Sequence, residues 1–372
     1  MTELQKIGIF GGLFNPPHIG HLQLAKLAKE QLNLDQILWI PSNVPPHKEL
    51  GAHSPSAEDR LRMVESITGQ TAGFEACDIE IKRKGTSYTI DTLNEIRSER
   101  SLDADCEIYF LIGSDALALL PTWKDAENVK KNAKFAVFGR SGESAVIPEG
   151  VDVVELQGSI LDTASSELRS RLLKCESIQG EVPDSVLNLI QEEAFYGAPI
   201  SDGLAEHIQE VEDSAVHLAT RWGVSPAPAR LAARYHDAYR TLGAEDARMI
   251  LEAAGEKVDE IESRNPILLH GRVAALRLER NGTGTGINKK ESVDVTNAIR
   301  YHTTGRREMS EIEQILFVAD RIRKNWSDVA DIPADRTTAV RDAMVAKLAF
   351  LSSNDIEVHP RTSEAAEWLG VS

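Results

Sequence analysis

His18 and His21 stand three residues apart with Gly20 between them, in the run Gly11-Gly12-Leu13-Phe14-Asn15-Pro16-Pro17-His18-Ile19-Gly20-His21. On a helix that spacing puts both imidazoles on one face, and the glycine leaves the backbone open to close approach. Two imidazoles and a bare backbone at a helix start suit a polyphosphate, since the unpaired N–H groups and the positive end of the helix dipole point the same way. The plain alternative is a pair of surface histidines. A second constellation lies in the other half: His207, the adjacent His236-Asp237, His270, His302 and Asp320. Imidazole and carboxylate ligands spread over several helices and converging inside a bundle are what a two-metal site requires, and that donor set suits iron, manganese or similar ions. Asp320 falls four residues after Leu316 and eight after Ile312, on the apolar stripe of its own segment. A carboxylate there is costly unless it is paired or bound to metal.

These groups need elements to position them. From residue 6 to about 175 the apolar runs Ile7–Phe10, Ile37–Ile40, Ile108–Ile112, Phe135–Phe138 and Val153–Leu156 alternate with helix-length segments such as Leu22–Leu32 and Glu58–Ile67, where Leu61, Val64 and Ile67 recur at helical spacing. Such alternation predicts βαβ units and a Rossmann-like parallel α/β sheet, whose ligand crevice lies outside the carboxyl ends of the strands. The run at 11–21 directly follows the first strand. At 197–203 the turn-forming string Gly-Ala-Pro-Ile-Ser-Asp-Gly marks a boundary, placing one domain at 1–198 and another at 199–372. Beyond it strand-like runs fade, and segments at 204–222, 227–240, 244–254, 266–280, 291–302, 310–325 and 335–351 have helical character, so the second domain is expected to be an all-α helical bundle. The Asn-Gly-Thr-Gly-Thr-Gly string at 281–286 has no strand before it and reads as a surface loop. His53 and His359, in loop-like surroundings without a partner motif, and His217, on a different helical face from His207, read as structural. The last 40 or so residues read as helical packing.

With 372 residues, 42% hydrophobic and 27% charged, the chain can bury two or three cores beneath a polar surface. A formal charge of −17 excludes a broad basic face gripping nucleic acid or an anionic membrane, and leaves small anions as partners through local sites. Cys77, Cys106 and Cys175 are odd in number and form no CxxC pair, which predicts a reducing compartment. No stretch of about 18 uninterrupted apolar residues occurs, so a cytoplasmic protein is expected. A homo-oligomer is compatible with all of this.

The run ending in His18-Ile19-Gly20-His21 resembles the signature of the HxGH nucleotidyltransferase superfamily. Pro41-Ser42-Asn43-Val44-Pro45-Pro46-His47-Lys48, Gly85-Thr86-Ser87-Tyr88-Thr89-Ile90-Asp91-Thr92-Leu93, and Gly113-Ser114-Asp115 leading to Leu120-Pro121-Thr122-Trp123 narrow it. Together they look like the bacterial nicotinate-nucleotide adenylyltransferases over about residues 5–197. The resemblance implies attack by the 5′-phosphate of nicotinate mononucleotide on the α-phosphorus of ATP, with magnesium accompanying the ATP. It implies that His18, His21 and Lys48 serve catalysis, with Lys48 drawing the two phosphate groups together. It places ATP against Gly11, Gly12, Phe14, His18, Gly20, His21, Gly113 and Asp115. Thr163-Ala164-Ser165-Ser166-Glu167-Leu168-Arg169 resembles the family's Ile-Ser-Ser-Thr-x-Ile-Arg helix start, so Ser165, Ser166 and Arg169 join that set, the serines also capping the helix. Thr86, Tyr88, Thr89 and Trp123, with Lys48, are implied to hold the acceptor.

In the second half, the ligand set with Leu268-Leu269-His270-Gly271 and Ala298-Ile299-Arg300-Tyr301-His302-Thr303-Thr304-Gly305 resembles the HD-domain metal-dependent phosphohydrolases. The nearest branch in appearance is the HD-type symmetrical diadenosine tetraphosphate hydrolases, over about residues 203–330. The resemblance implies that His207, His236, Asp237 and Asp320 hold one divalent metal, while the catalytic Asp237 bridges to a second held by His270 and His302. Two ions, iron or manganese, and diadenosine polyphosphates as substrates follow from it. Arg323-Lys324 stands where the branch has Glu-Pro, and the stretch between His270 and His302 is longer. Two other assignments stay open: hydrolysis of other nucleotides or phosphate esters, and a nucleotide-sensing regulatory module.

Overall fold

A computed structural model describes residues 5–46, 54–102, 105–138, 147–322 and 324–371, so Lys48 and His53 lie outside the described residues. The chain divides into two compact units, one of Met1–Ser170 with Ile178–Leu187, the other of Arg171–Ser177 with Asn188–Ser372. The three cysteines are buried and form no disulfide. Among the described residues no helix is long and apolar enough to cross a membrane.

The first unit carries six strands: β1 (Lys6–Gly12), β2 (Gln36–Pro41), β3 (Phe74–Ala76), β4 (Glu107–Gly113), β5 (Lys134–Phe138) and β6 (Val153–Glu155). They form one sheet in the order β3-β2-β1-β4-β5-β6, parallel throughout. Helices α1 (Ile19–Leu32), α2 (Ala57–Thr68), α3 (Ile79–Arg83), α4 (Thr89–Glu99), α5 (Ser114–Ala118), α6 (Ala126–Asn132), α7 (Ser165–Leu173) and α8 (Asp184–Glu192) fill the connections and the end of this region. A parallel sheet covered on both faces needs apolar side chains on both, which is why its strands read as continuous runs. Ile7, Ile9, Leu38, Ile40 and Ile108 pack with Leu93 and Ile96 of α4. Ile37, Trp39 and Leu111 pack with Leu24, Ala25 and Ala28 of α1. Strand β1 lies between β2 and β4, and the chain leaves it toward β2 first, so the topological switch point falls between β1 and β4.

Two details differ from the sequence reading. Strand β3 was not expected, because it is a three-residue edge strand with only Phe74 buried and no alternating pattern. The inward stripe of α2 is Arg60, Met63, Val64 and Ile67, with Leu61 only half-buried.

The second unit is helical: α9 (Asp202–Arg221), α10 (Pro226–His236), α11 (Ala244–Ala253), α12 (Glu260–Arg264), α13 (His270–Asn281), α14 (Lys289–Tyr301), α15 (Glu311–Ala319), α16 (Arg336–Ser353) and α17 (Pro360–Trp368). One core joins them, with Val211, Leu218, Ala232, Val273, Ile299 and Leu316 among its fully covered side chains. The windows 227–240 and 310–325 were too long, since α10 stops at His236 and α15 at Ala319. Asp237, His302 and Asp320 are the C-cap residues of α10, α14 and α15. At a cap the chain leaves the helix axis, which lets side chains from three helix ends turn toward one centre.

Candidate active site and candidate metal centre

In the first unit, the run following β1 is tied down from several sides. Phe14 takes a left-handed φ of 48°, and its ring meets those of Phe10 and His21 edge-on, with centroids 5.3 and 5.2 Å away. The fully buried Arg60 donates from Nη1 to the Leu13 carbonyl at 2.9 Å and from Nη2 to the Asn43 carbonyl at 3.1 Å. Arg169 Nη1 donates to the Asn15 carbonyl at 2.7 Å, and Ser165 Oγ to the Pro16 carbonyl at 2.9 Å. The carbonyl that starts α7 belongs to Ala164, which accepts from the Leu168 N–H at 3.1 Å. The helix therefore opens on Ala164 where the serines were expected to cap it. Ser166 is exposed.

His18 is the N-cap of α1 and is buried. Burial pushes its imidazole down to about 4, so it is neutral at pH 7, and its Nδ1 has no hydrogen-bond partner. The His18 N–H donates to His21 Nδ1 at 3.2 Å. An accepting Nδ1 leaves the proton of a neutral ring on Nε2, so this bond fixes His21 as a donor on its far side. The two rings lie 3.7 Å apart between centroids. At Gly20 a Cβ would stand 2.8 Å from the Leu161 carbonyl oxygen and 3.1 Å from His18 Nδ1, so packing by itself requires glycine here.

The segments expected at the acceptor site also meet. Thr86 bridges Val44 in parallel, the Ser87 N–H donates to the Val44 carbonyl at 2.9 Å, and the Asn43 N–H donates to Ser87 Oγ at 3.0 Å. Tyr88 is the N-cap of α4 and Thr89 its first residue. Trp123 packs edge-on against Phe110 at 5.9 Å, and its neighbour Lys124 sits 4.6 Å from the Tyr88 ring centroid and 2.8 Å from Asp91 Oδ2. Gly11 and Gly12 end β1, while Gly113 ends β4 with open space at its Cβ position and Asp115 follows in the first turn of α5. All these groups lie at the carboxyl end of the sheet. Arg60 was missed in the sequence. Its signal was an arginine in helical register with Met63, Val64 and Ile67.

In the second unit, the six expected ligands converge. Asp237 is fully buried and addresses two groups of imidazoles with its two oxygens. Oδ1 lies 2.9 Å from His270 Nε2 and 3.7 Å from His302 Nε2. Oδ2 lies 3.7 Å from His207 Nε2 and 3.5 Å from His236 Nε2. Asp320 Oδ1 stands on the second side, 3.4 Å from His207 Nε2 and 3.9 Å from His236 Nε2. His207-His236-Asp237 and Asp237-His270-His302 thus form two groups, sharing one carboxylate, that could each hold a metal ion.

The protonation pattern fits metal as well. The Nδ1 atoms of His236, His270 and His302 each contact the carbonyl three residues earlier, those of Ala233, Ile267 and Ile299. With the ring proton donated there, each Nε2 carries a lone pair aimed at the centre. His270 Nε2 and His302 Nε2 are 3.1 Å apart, lone pair to lone pair, an arrangement that a cation relieves. Burial pushes His236 down to about 4 and lowers His270 as well, keeping both neutral. For Asp237, burial by itself would raise the carboxyl, and positive charge at the centre offsets it, either a proton on the imidazoles of His270 and His302 or, with their Nε2 lone pairs facing inward, a bound cation. His207 Nε2, His236 Nε2 and Asp237 Oδ1 are buried without a hydrogen-bond partner. The residues present therefore fit two divalent ions.

Arg240, also missed in the sequence, lies with Nη1 2.6 Å from Asp237 Oδ2. His217 is exposed on α9. His359 lies in the loop ahead of α17, as expected, but is buried: it caps α17 and meets Asp259 at 3.0 Å. Nearby Glu262 is taken by Arg272 and Arg361, so that group is an ion-pair network.

The Cytidylyltransferase-like family profile matches residues 9–177, and the HD domain profile matches residues 204–325. A protein of Exiguobacterium sibiricum named "probable nicotinate-nucleotide adenylyltransferase" is 39% identical over 191 residues, covering 51% of this chain and 98% of that protein. One of the same name from Shouchella clausii is 40% identical over 194 residues, covering 52% and 98%. Among solved structures, one described as a "predicted HD superfamily hydrolase involved in NAD metabolism" from Clostridium acetobutylicum is similar at 27% identity and a TM-score of 0.41, covering 49% of this chain and 93% of that one. A Plasmodium falciparum nicotinic acid mononucleotide adenylyltransferase is similar at 19% identity and a TM-score of 0.44, covering 52% and 97%. Over its N-terminal half the chain belongs to the nicotinate-nucleotide adenylyltransferase family, and in its C-terminal half it carries an HD domain.

Proposed function

We propose that the chain is a bifunctional enzyme, with adenylyl transfer to nicotinate mononucleotide in residues 1–198 and metal-dependent hydrolysis of diadenosine tetraphosphate to two ADP in residues 199–372. The first activity is carried by relatives of that name at 39–40% identity over 98% of their length. No protein nucleophile is needed, because the acceptor phosphate attacks the α-phosphorus of ATP and pyrophosphate leaves. Catalysis then consists of holding two anions in line and neutralising the charge that develops on the phosphoryl oxygens. His21 donates from Nε2 to a phosphate oxygen, and the entering anion raises the proton affinity of the buried, neutral His18. The start of α1 supplies N–H groups. Arg169, Ser165 and Arg60 keep the loop in shape, Trp123 and Tyr88 face the pyridine ring, and Lys48 joins the two phosphates. Magnesium accompanies the ATP.

The second activity rests on one observation, the shared Asp237 with an imidazole group at each oxygen. Two divalent cations, iron or manganese, would there polarise a phosphoryl group and acidify a water. The chain's own part is to orient three imidazoles, those of His236, His270 and His302, through backbone carbonyls, and to set Arg240 beside Asp237. Three buried thiols without a disulfide suit the cytoplasm.

Pyrophosphate release with ATP and nicotinate mononucleotide should collapse in His18→Ala. A much better rate with the amide mononucleotide overturns the acceptor assignment. Manganese- or iron-loaded protein should turn diadenosine tetraphosphate into ADP alone, and Asp237→Ala should stop it. Equal AMP and ATP contradict the symmetrical cut, while metal bound without turnover favours nucleotide sensing.

A further inference from the structure

His270 Nε2 and His302 Nε2 face each other at 3.1 Å with lone pairs between them, so the helices that carry them must be held together by other groups. Part of that hold is close packing. At Gly271 a Cβ would stand 2.5 Å from the Ile299 carbonyl oxygen, the same oxygen that receives His302 Nδ1, and 3.0 Å from the His302 ring. The rest is ionic. Arg272, two residues after His270, donates to Glu256 Oε2 from Nη2 at 2.7 Å and from Nε at 3.2 Å. Arg300, two residues before His302, donates from Nη1 to both oxygens of Glu256, at 2.8 and 2.7 Å. Its Nη2 donates to both oxygens of Glu279, at 2.9 and 3.0 Å. Glu262 accepts from Arg272 Nη1 on one oxygen and from Arg361 Nη1 of α17 on the other.

Two residues along a helix is about 200° around it, so each arginine leaves its helix on the face away from the neighbouring histidine. Exposed ion pairs contribute little. Here the Arg272 and Arg300 side chains are 8% and 14% exposed, that of Glu262 is fully covered, and Arg300 makes paired contacts to each of two carboxylates. Glu256 belongs to neither α13 nor α14. It stands in the connection between α11 and α12 and, among the described residues, is the carboxylate that accepts from both arginines. We propose that Glu256 is a positioning residue for the ion at His270 and His302. It draws Arg272 and Arg300 together, so that α13 closes on α14 at Gly271 and the two imidazoles stay within reach of one cation. The proposal rests on reading the HD domain as a two-metal centre. The ligands particular to the other ion, His207, His236 and Asp320, come from α9 and the ends of α10 and α15, none of which carries a residue of this network. The two ions therefore share Asp237 but have separate supports. Through Glu262 and Arg361 the support of one ion extends to α17, beyond the residues 204–325 of the HD profile.

The test titrates the full-length protein with manganese, followed by calorimetry and by electron paramagnetic resonance, in which two ions sharing a carboxylate give an exchange-coupled spectrum and a lone ion does not. The wild type should pass to the coupled spectrum as the second ion binds. Glu256→Gln keeps the shape and removes the charge. It should weaken the ion at His270 and His302 about tenfold, the scale of one charge-assisted hydrogen bond. At the manganese concentration that pairs the wild type it should therefore show lone ions, with the pair restored at about tenfold more manganese. The ion it retains should disappear when Asp320→Asn is added, which assigns that ion to the side of His207 and His236. Arg264→Met breaks the exposed Arg264–Glu357 pair of the same unit and should leave the titration as in the wild type. Glu279→Gln removes the outer, 41% exposed partner of Arg300 and should move the same ion in the same direction by a smaller factor, which keeps the test decisive where Glu256→Gln does not fold. A coupled spectrum in Glu256→Gln at wild-type manganese, joint loss of both ions, an ion that survives Asp320→Asn, or equal weakening in Arg264→Met overturns the positioning role. A wild type that never shows the pair overturns the two-metal reading, and the inference falls with it.

Discussion

His18 and Gly20 are bound to each other by packing as much as by chemistry. A methyl group at Gly20 would meet the Leu161 carbonyl at 2.8 Å and the His18 ring at 3.1 Å, and the first of these is backbone that cannot swing away. We expect Gly20→Ala to cost about 1–3 kcal/mol of stability, the usual range for overpacking, and to lower adenylyl transfer by displacing His18. Urea unfolding and initial rates of pyrophosphate release check this; a variant of wild-type stability and rate would sink the idea. His18 also makes the first unit sensitive to acid. Its folded-state value of about 4 lies below the 6.5 of a free imidazole. The unfolded chain therefore takes up a proton that the folded chain refuses, and stability present above pH 6.5 is lost as pH falls toward 4. Between pH 7.5 and 5 the loss from this residue is about 2 kcal/mol. His18→Gln, which does not titrate, should lose less stability over the same interval, and equal losses in both proteins would contradict the argument.

Arg60 shows how an element can carry a site without touching a substrate. Helix α2 places it among Met63, Val64 and Ile67, and from there it clamps the carbonyls of Leu13 and Asn43, one from the loop after β1 and one from the loop after β2. Arg60→Met fills similar space but leaves two carbonyls without their donor, at about 1–3 kcal/mol for each buried group left unpaired. We expect raised KM for both ATP and the mononucleotide, since both loops shift, with kcat less affected; a change in only one KM would assign Arg60 to one loop. A hydrophobic pattern could not find this residue, because arginine counts as polar and only the helix register reveals that it points inward. The βαβ alternation was legible because both faces of the sheet demand apolar residues, whereas β3 was too short to leave a pattern. Helix ends at Asp237 and Asp320 were blurred because periodicity averages over a turn or more and does not register a cap. The six histidine and aspartate positions could be picked out by type, but their arrangement, with Asp237 between two imidazole groups and Nδ1 atoms anchored to carbonyls, depends on where three helices stop. Arg240 carried no motif at all.

At the scale of the whole molecule, the two units have separate cores. Ile7, Ile9 and Trp39 belong to the sheet, while Leu218, Val273 and Leu316 belong to the bundle, and among the described residues no buried cluster draws from both. The groups that could hold a metal ion lie, among the described residues, in the second unit. A cation that binds the folded bundle stabilises it by mass action, by about 2.7 kcal/mol at a hundredfold excess over its dissociation constant. For a unit of this size that raises the unfolding temperature by roughly 5–10 °C. Calorimetry of the full chain should therefore give two transitions, with manganese moving one upward and EDTA returning it, while ATP moves the other. In Asp237→Ala the manganese response should vanish and ATP-dependent pyrophosphate release should persist; in His18→Ala the converse should hold. The −17 charge sharpens the same experiment, since polyanionic ligands approach a repelling surface and bind where helix N-termini or metal reverse the local sign. Chelation removes that reversal from one unit alone, so EDTA should abolish the upward shift that diadenosine tetraphosphate gives the manganese-sensitive transition and leave the shift given by ATP in the other. A single transition that manganese and ATP both shift would mean that the cores unfold as one, and the division of labour between the halves would have to be abandoned.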